Sequence, residues 1–297
     1  MILEAFAPAK INLYLHVGAP GQDGYHPLSS LMVFADFGDS ISVEAADSLG
    51  LQIEGPFAQA LLDQDIGSNL VTQAVYKILA AAGGPVPPFR LLLNKVLPVG
   101  AGLGGGSSDA GATLRLLRDA LSLKISDQAL QDMAASLGAD GAACLWASPV
   151  LAQGRGEVIT PVDGLPPLHA VLVNPGVVCP TGAVFAAYDA LGAPGDDWAP
   201  DLASAFASIE ETAAFLSYCR NDLEAPAISL CPEIAEVLAA LRREPETLLA
   251  RMSGSGATCF ALCASDMEAQ GLAQKLERIQ PNWWVRACRL GGPWSQG

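Results

Sequence analysis

Apolar and polar residues alternate strictly along the segment that begins at Lys10: Ile11, Leu13, Leu15 and Val17 fall on one side, Lys10, Asn12, Tyr14 and His16 on the other. A period of two predicts a half-buried strand, and it puts Lys10 and Asn12 on the same face. A turn-rich stretch follows, Gly18-Ala-Pro-Gly-Gln-Asp-Gly-Tyr-His26, and then the extended run Leu31-Met-Val-Phe-Ala35. The period then lengthens to that of a helix. Leu70, Ala74, Ile78 and Ala81 form one stripe behind Asn69, which reads as an N-cap, and Gly83-Gly84-Pro85 ends it. Ala110, Leu114, Leu117 and Leu121 form a second stripe, with Arg115, Arg118 and Asp119 off it.

Between the strand predicted over Phe89 to Leu93 and that second helix lies Pro98-Val-Gly-Ala-Gly-Leu-Gly-Gly-Gly-Ser-Ser-Asp109, with five glycines in seven positions. Glycine admits positive φ and close approach of the backbone to an anion. A helix starting there aims its unpaired N–H groups and the positive end of its dipole at the loop, so phosphate can be bound without a cationic side chain. The segment predicts a nucleoside triphosphate site, with Ser107 or Ser108 capping the first turn or facing a phosphate or a magnesium ion. A side chain at Gly105 is expected to intrude on the phosphates. No lysine follows the glycines, so this is not the P-loop pattern. Gly100, Gly102 and Gly105 satisfy GxGxxG, but Lys95-Val-Leu-Pro98 precedes them where a dinucleotide fold needs a strand. The His-Arg-Asp triplet of protein kinases is absent.

A helix predicted from Ser126 to a stop at Gly138 leaves Asp140 just beyond its end. Pro161-Val-Asp-Gly-Leu-Pro-Pro167 reads as a linker and divides the chain into domains 1–160 and 161–297. The second half then reads strand (169–174), helix (181–191), further helices within 201–243, strand (248–252), strand (258–263), helix (267–279) and strand (283–288). Without the inserted helices this is β-α-β-β-α-β, the ferredoxin-like order, with a hairpin turning through a second glycine loop, Ser253-Gly-Ser-Gly256. The fold class expected is α+β in two domains, with the site between them.

Composition narrows the partners. The chain has 297 residues, 51% of them hydrophobic, enough for full cores. Its 16 Lys and Arg against 31 Asp and Glu give a net charge of −15, which disfavours nucleic acid and anionic membranes and leaves a small molecule as partner. Seven scattered cysteines without a CxxC pair point to reduced, buried thiols rather than zinc or disulfides. The start, Met1-Ile-Leu-Glu-Ala-Phe6, lacks a basic segment before an apolar one, and a cytoplasmic monomer or homodimer is expected.

Pro8-Ala-Lys-Ile-Asn-Leu13, the glycine-serine run and Met252-Ser-Gly-Ser-Gly-Ala257 together resemble the three motifs of the GHMP kinases, in the same order. Asp23-Gly-Tyr-His26, Asn94-Lys95 with Pro98, Leu137-Gly-Ala-Asp140, Asn174-Pro-Gly176 with Pro180-Thr181, and Asn221-Asp-Leu-Glu224 extend the likeness over nearly the whole chain. Within the family they are similar to the branch that uses ATP to phosphorylate a hydroxyl on the methylerythritol moiety of a cytidine diphosphate adduct in non-mevalonate isoprenoid synthesis. The resemblance implies Asp140 as acceptor of the hydroxyl proton and Lys10 as its partner, the lysine keeping the carboxylate ionised. It implies ATP, with Mg2+, against Asn69, Lys95, Pro98, Gly100, Gly102, Leu103, Gly104, Gly105, Gly106, Ser107 and Ser108, Ser108 being a possible metal ligand. Asn12, Tyr25, His26, Thr181, Phe185, Gly254 and Ser255 would meet the substrate, with the aromatics bracketing the cytosine.

Asn69 is equally an N-cap, Thr181 a helix cap and Phe185 a core residue, and Asp109 is expected to complement the helix dipole. Asp140 is followed by Gly141-Ala-Ala143 where the family often has Val-Pro, which predicts a looser loop. Two other functions fit the motifs less well: another GHMP kinase, of homoserine or mevalonate type, and a non-catalytic sensor gated by nucleotide.

Overall fold

The computed structural model describes residues 3–192, 195–196, 198–202 and 206–294. Its first half contains β1 (Leu3–Val17), β2 (Leu28–Ala45), β3 (Gly50–Glu54), α1 (Gln59–Leu62), α2 (Leu70–Ala81), β4 (Phe89–Asn94), α3 (Gly105–Ala120), α4 (Asp127–Ala135), α5 (Gly141–Trp146), β5 (Val150–Gly154) and β6 (Val158–Pro161). The second half contains β7 (Leu168–Asn174), α6 (Thr181–Ala190), α7 (Ile209–Ser217), α8 (Glu224–Leu230), α9 (Glu233–Arg242), β8 (Leu249–Met252), β9 (Cys259–Cys263), α10 (Asp266–Ile279) and β10 (Trp284–Gly291). Residues 203–205, inside the stretch expected to hold inserted helices, lie outside the described residues.

β2 organises the molecule. β1 runs antiparallel along one of its edges from Leu3 opposite Val43 to Val17 opposite Leu28, with register shifts at Pro8/Lys10 and Asn12/Tyr14. The other edge is divided among β5 at Leu28 to Met32, β10 at Phe34 and Ala35, and β4 at Ser40 to Ala45. In the second half the order is β10-β7-β9-β8 with every neighbouring pair antiparallel, which is the ferredoxin-like arrangement. The β10–β2 pairing merges both halves into one ten-stranded sheet. Two cores carry the first and second halves. Helices α2, α3 and α4 pack over β2 and β4 around Ile41, Val71, Ile78, Leu93 and Leu117, and α8, α9 and α10 pack over β7 and β9 around Val173, Ala227, Val237, Cys259 and Leu276.

Caps confirm two helix starts: Asn69 Oδ1 accepts the Val71 N–H at 2.8 Å, and Ser126 Oγ accepts that of Ala129 at 3.2 Å. Three local expectations are corrected. β1 is buried on both faces, with Lys10, Asn12, Tyr14 and His16 at 3%, 2%, 0% and 0% exposure: Lys10 and Asn12 line a cleft, Tyr14 joins the apolar cluster of Ile11 and Leu13, and His16 stacks on Trp198. Ser107 and Ser108 do not cap α3. Gly104 does, in the left-handed region at φ 61°, and the serines lie inside the first turn. The segment after Asp140 is not loose: Gly141 to Leu145 are buried in α5, and a Cβ at Gly141 would lie 1.9 Å from the Ala134 carbonyl. The Asp-Phe-Gly triplet at Asp36 to Gly38 has a structural role in β2, where Asp36 holds Arg289 at 2.9 Å and Gly38 packs on the backbone of Ala7.

All seven cysteines are free thiols and buried. Among the described residues no helix is long and apolar enough to cross a membrane.

Candidate active site

The glycine run wraps the start of α3. Gly102 at φ 74° and Gly104 at φ 61° turn the chain into α3, whose first intrahelical donor is Ser108 N–H to Gly104 O at 2.9 Å, so the preceding N–H groups of Gly105, Gly106 and Ser107 have no acceptor within the helix. Gly102 has a second reason to be glycine: a Cβ there would lie 2.5 Å from the Ser253 carbonyl and 2.8 Å from that of Gly256. The two glycine loops are thus in backbone contact, and Ser253 Oγ donating to Gly102 O (3.0 Å) and Thr258 N–H donating to Ala101 O (3.1 Å) hold them there.

Lys10 enters beside this cradle. Its backbone N–H donates to Leu103 O at 2.8 Å, and its ammonium donates to Asn12 Oδ1 at 2.6 Å and lies 3.0 Å from Asp140 Oδ2. Asn12 is held in turn: Nδ2 donates to Ser30 Oγ at 2.7 Å, and its backbone N–H donates to Ser253 Oγ at 3.1 Å. The Asn12 amide oxygen therefore orients Lys10. Asp140 keeps 30% of its side chain exposed, and among the described residues its second oxygen has no partner.

Lys95 has another engagement than the adenine contact expected of it. It is buried, with Nζ 2.5 Å from Asp39 and 2.7 Å from Asp109. Asp39 also accepts the N–H groups of Val96 and Leu97. Asp109 Oδ1 is buried without a partner, and burial beside Asp39, against the pull of Lys95, pushes this carboxyl up to about 7. Asp109 thus belongs to an ion triad rather than simply complementing the dipole. The triad lies directly behind the cradle: a Cβ at Gly105 would meet Lys95 Nζ at 3.0 Å. Within the protein, a side chain at Gly105 would meet the triad first.

Toward the other end, His26 and Phe185 have ring centroids 5.5 Å apart, too close to admit a base between them, and so form one wall. Both nitrogens of His26 are engaged, Nδ1 with Gly18 O at 2.8 Å and Nε2 with Asp189 at 3.1 Å, which leaves its ring rather than its edge to a ligand. Tyr25 is 60% exposed and carries the Arg155 guanidinium over its ring at 4.2 Å. Thr181 Oγ1 bonds Ser255 Oγ at 2.8 Å instead of capping α6.

These parts line a single cleft of about 930 Å³, at the upper end of the range for small-molecule sites. Leu103 and Ser108 lie off its wall, each 1% exposed: Leu103 is a core residue that anchors β1 through its carbonyl, and the Ser108 hydroxyl is buried. Residues 69–148 match the GHMP kinases N terminal domain and residues 202–282 the GHMP kinases C terminal domain. The chain is 59% identical over 294 residues to a 4-diphosphocytidyl-2-C-methyl-D-erythritol kinase of Caulobacter sp. (strain K31), covering 99% of this chain and 100% of the relative. An enzyme of the same name from Hyphomonas neptunium is 47% identical, with 97% of each covered. The chain belongs to the 4-diphosphocytidyl-2-C-methyl-D-erythritol kinase branch of the GHMP kinases. A crystal structure of 4-(cytidine 5'-diphospho)-2C-methyl-D-erythritol kinase superposes on this kinase with a TM-score of 0.78 at 35% identity, covering 98% of this chain and 100% of that one.

Two charged groups on the cleft wall of this kinase, Asp109 and Arg155, and Asp39 behind it take their partners from elements distant in sequence. Asp39 and Asp109 meet Lys95 only once β2 and α3 are packed together. Arg155 reaches the cleft from the β5–β6 turn, where it pairs with Asp23 and covers Tyr25. With Lys10 and Lys95 it completes the lysines and arginines among the described residues of the cleft wall.

Proposed function

We propose that this kinase transfers the γ-phosphoryl group of ATP to a hydroxyl on the methylerythritol moiety of 4-diphosphocytidyl-2-C-methyl-D-erythritol, giving the 2-phosphate used in isoprenoid precursor synthesis. The observation that carries the reading is the Lys10–Asp140 pair, 3.0 Å apart, set beside the mouth of a helix-capping glycine cradle. The triphosphate lies on the unpaired N–H groups of Gly105, Gly106 and Ser107, with Gly100, Gly102 and Gly104 shaping the loop and Pro98 and the free Asn69 amide nitrogen at the nucleoside end. The substrate alcohol sits at Asp140. Its proton passes to the carboxylate as the new oxygen–phosphorus bond forms and the bond to the β-phosphate bridge oxygen breaks, releasing ADP.

Lys10 holds Asp140 in place and offsets negative charge on the transferring group. Asn12 keeps the ammonium directed at that point. The cytosine lies on the wall of His26 and Phe185 opposite Tyr25, while Thr181, Gly254 and Ser255 flank the diphosphate side. ATP enters with Mg2+. Among the described residues no three His, Cys, Asp or Glu form a metal cage, but the Ser107 hydroxyl lies on the cleft wall without a protein partner, which fits an ion carried mainly by phosphate oxygens. When bound, the ion neutralises charge on the triphosphate.

The enzyme works in the cytoplasm as a monomer or homodimer, with residues 1–160 and 161–297 as its two domains. A coupled ADP-release assay with Mg2+ and a panel of alcohols tests the function. Turnover of the cytidine diphosphate substrate, with none of homoserine or mevalonate, is expected, and the opposite pattern refutes the substrate. Nucleotide binding without turnover of any alcohol would make the chain a sensor.

A further inference from the structure

Asn221 opens the Asn221-Asp-Leu-Glu224 segment, which the chemistry above leaves without a role. Its side chain is 7% exposed and nearly saturated. Nδ2 donates to two carbonyls, Met252 O and Gly254 O, each at 2.8 Å, and Oδ1 accepts the Leu223 N–H at 3.0 Å. Two donors and one acceptor on one short planar group are what an amide supplies and a carboxylate does not. The segment around it is riveted to β1. Leu15 N–H donates to Arg220 O and Asp222 N–H to Leu15 O, both at 2.9 Å, and Asp222 Oδ2 accepts the Val17 N–H at 2.8 Å. Glu224 adds a bond from the Met252 N–H at 3.1 Å.

The turn that Asn221 grips is the place where three parts of the site meet. Ser253 Oγ donates to Gly102 O in the phosphate cradle and accepts the backbone N–H of Asn12, the residue that orients Lys10. Ser255 Oγ bonds Thr181 at the start of α6 on the substrate side. Gly254 sits at φ 58°, with its carbonyl drawn to Asn221; its own N–H and that of Ser255 take no partner among the described residues, and both residues line the cleft.

We propose that Asn221 is a positioning residue for phosphoryl transfer: by binding the Met252 and Gly254 carbonyls together it sets the Ser253–Gly256 turn, and through that turn the placement of Asn12 and Lys10. The proposal rests on the reading of the cleft as a kinase site. Asn221 touches no reacting atom, and its effect reaches the chemistry only through the turn.

Asn221→Asp separates this role from a local one. The carboxylate still accepts the Leu223 N–H, so the start of α8 is preserved, but it sets an anion against two carbonyl oxygens and expels the turn. Asn221→Ala loses both functions. Steady-state kinetics, nucleotide binding by equilibrium titration, and melting temperature are measured for both. The expected result in Asn221→Asp, assayed well below a melting temperature that the buried anion lowers, is a fall in kcat/KM for the alcohol of about tenfold to a hundredfold, the scale of a misplaced reacting group, exceeding any loss of nucleotide affinity. Ser253→Ala, which cuts the same path one step later, is expected to show the same pattern, and the double variant to lose little more than either single one. Wild-type kinetics in Asn221→Asp overturn the proposal, as does an additive loss in the double variant. A wild-type enzyme that turns over no alcohol fails the kinase reading instead, so the two failures are distinguishable.

Discussion

Lys10 and Asp140 face each other with Nζ 3.0 Å from Oδ2, the lysine 3% exposed and the acid 30%. The cation is sealed in the protein while the acid keeps an edge to the cleft, an asymmetry that suits a fixed charge and a group that must meet a ligand. Asp140→Asn preserves the shape and removes the proposed acceptor of the proton. Its turnover is expected to fall at least about a hundredfold while ATP binding persists, as measured by ADP release and by nucleotide titration. Unchanged turnover removes Asp140 from the mechanism.

Gly102 and Gly100 share positive φ but not surroundings. A Cβ at Gly102 meets two carbonyls of the second glycine turn, whereas nothing lies within 4 Å of one at Gly100. Gly102→Ala is therefore expected to push the two loops apart, lowering both kcat and thermal stability. Gly100→Ala bears only the backbone strain of its φ of 68°, about 1 kcal/mol. Equal effects of the two substitutions in thermal melts and kinetics would argue against the loop-to-loop contact.

Lys95 neutralises two buried acids behind the cradle. Lys95→Met leaves Asp39 and Asp109 without their counter-charge and is expected to cost about 3–5 kcal/mol in urea unfolding. Asp109→Asn, which keeps an acceptor for the lysine and removes the carboxyl that burial has raised, is expected to be much milder. A mild Lys95→Met would show that the triad contributes little to the fold.

His16 predicts a pH dependence. Nδ1 bonds the Trp198 carbonyl at 2.6 Å, so it carries the proton, and Nε2 accepts the Arg220 N–H at 3.2 Å. Protonation would set a second N–H against that donor, and burial together with Arg220 lowers the affinity of the ring for a proton. The folded state then binds fewer protons than the unfolded one, so this stability is fully present above the ordinary histidine value of about 6.5 and is lost as pH falls from there through the lower value of the folded ring. Melting temperatures between pH 8 and pH 5 are expected to fall more steeply for wild type than for His16→Gln.

Much of this architecture was legible because its signals are local. The alternation around Ile11 to Val17 marks β1, the caps at Asn69 and Ser126 mark α2 and α4, and the order of the late elements yields the ferredoxin-like sheet. The glycine run announces its own shape, since positive φ at Gly102 and Gly104 is a property of the residue. The length of β2 was not legible, because its second edge is assembled from β4, β5 and β10, which are distant in sequence. The short strands β3, β5 and β6 and the six-residue α5 are too brief to set up a period. Nor could Lys95 be told apart from a nucleotide contact, since its two acids arrive from other elements. Asn69 differs: one amide atom caps α2 as expected, and the other, without a partner among the described residues, stays at the cleft for the proposed nucleotide contact.

Within the sheet, the seam between the halves is made by β10, which inserts between β2 and β7 and pairs with β2 at Ala35–Leu290 and Phe34–Gly291. The last strand among the described residues is the one that joins the two parts of the sheet, so that junction forms only as translation nears its end. A ribosome stalled before Trp284 would hold a protein with every residue of the cleft wall but with its sheet still in two parts.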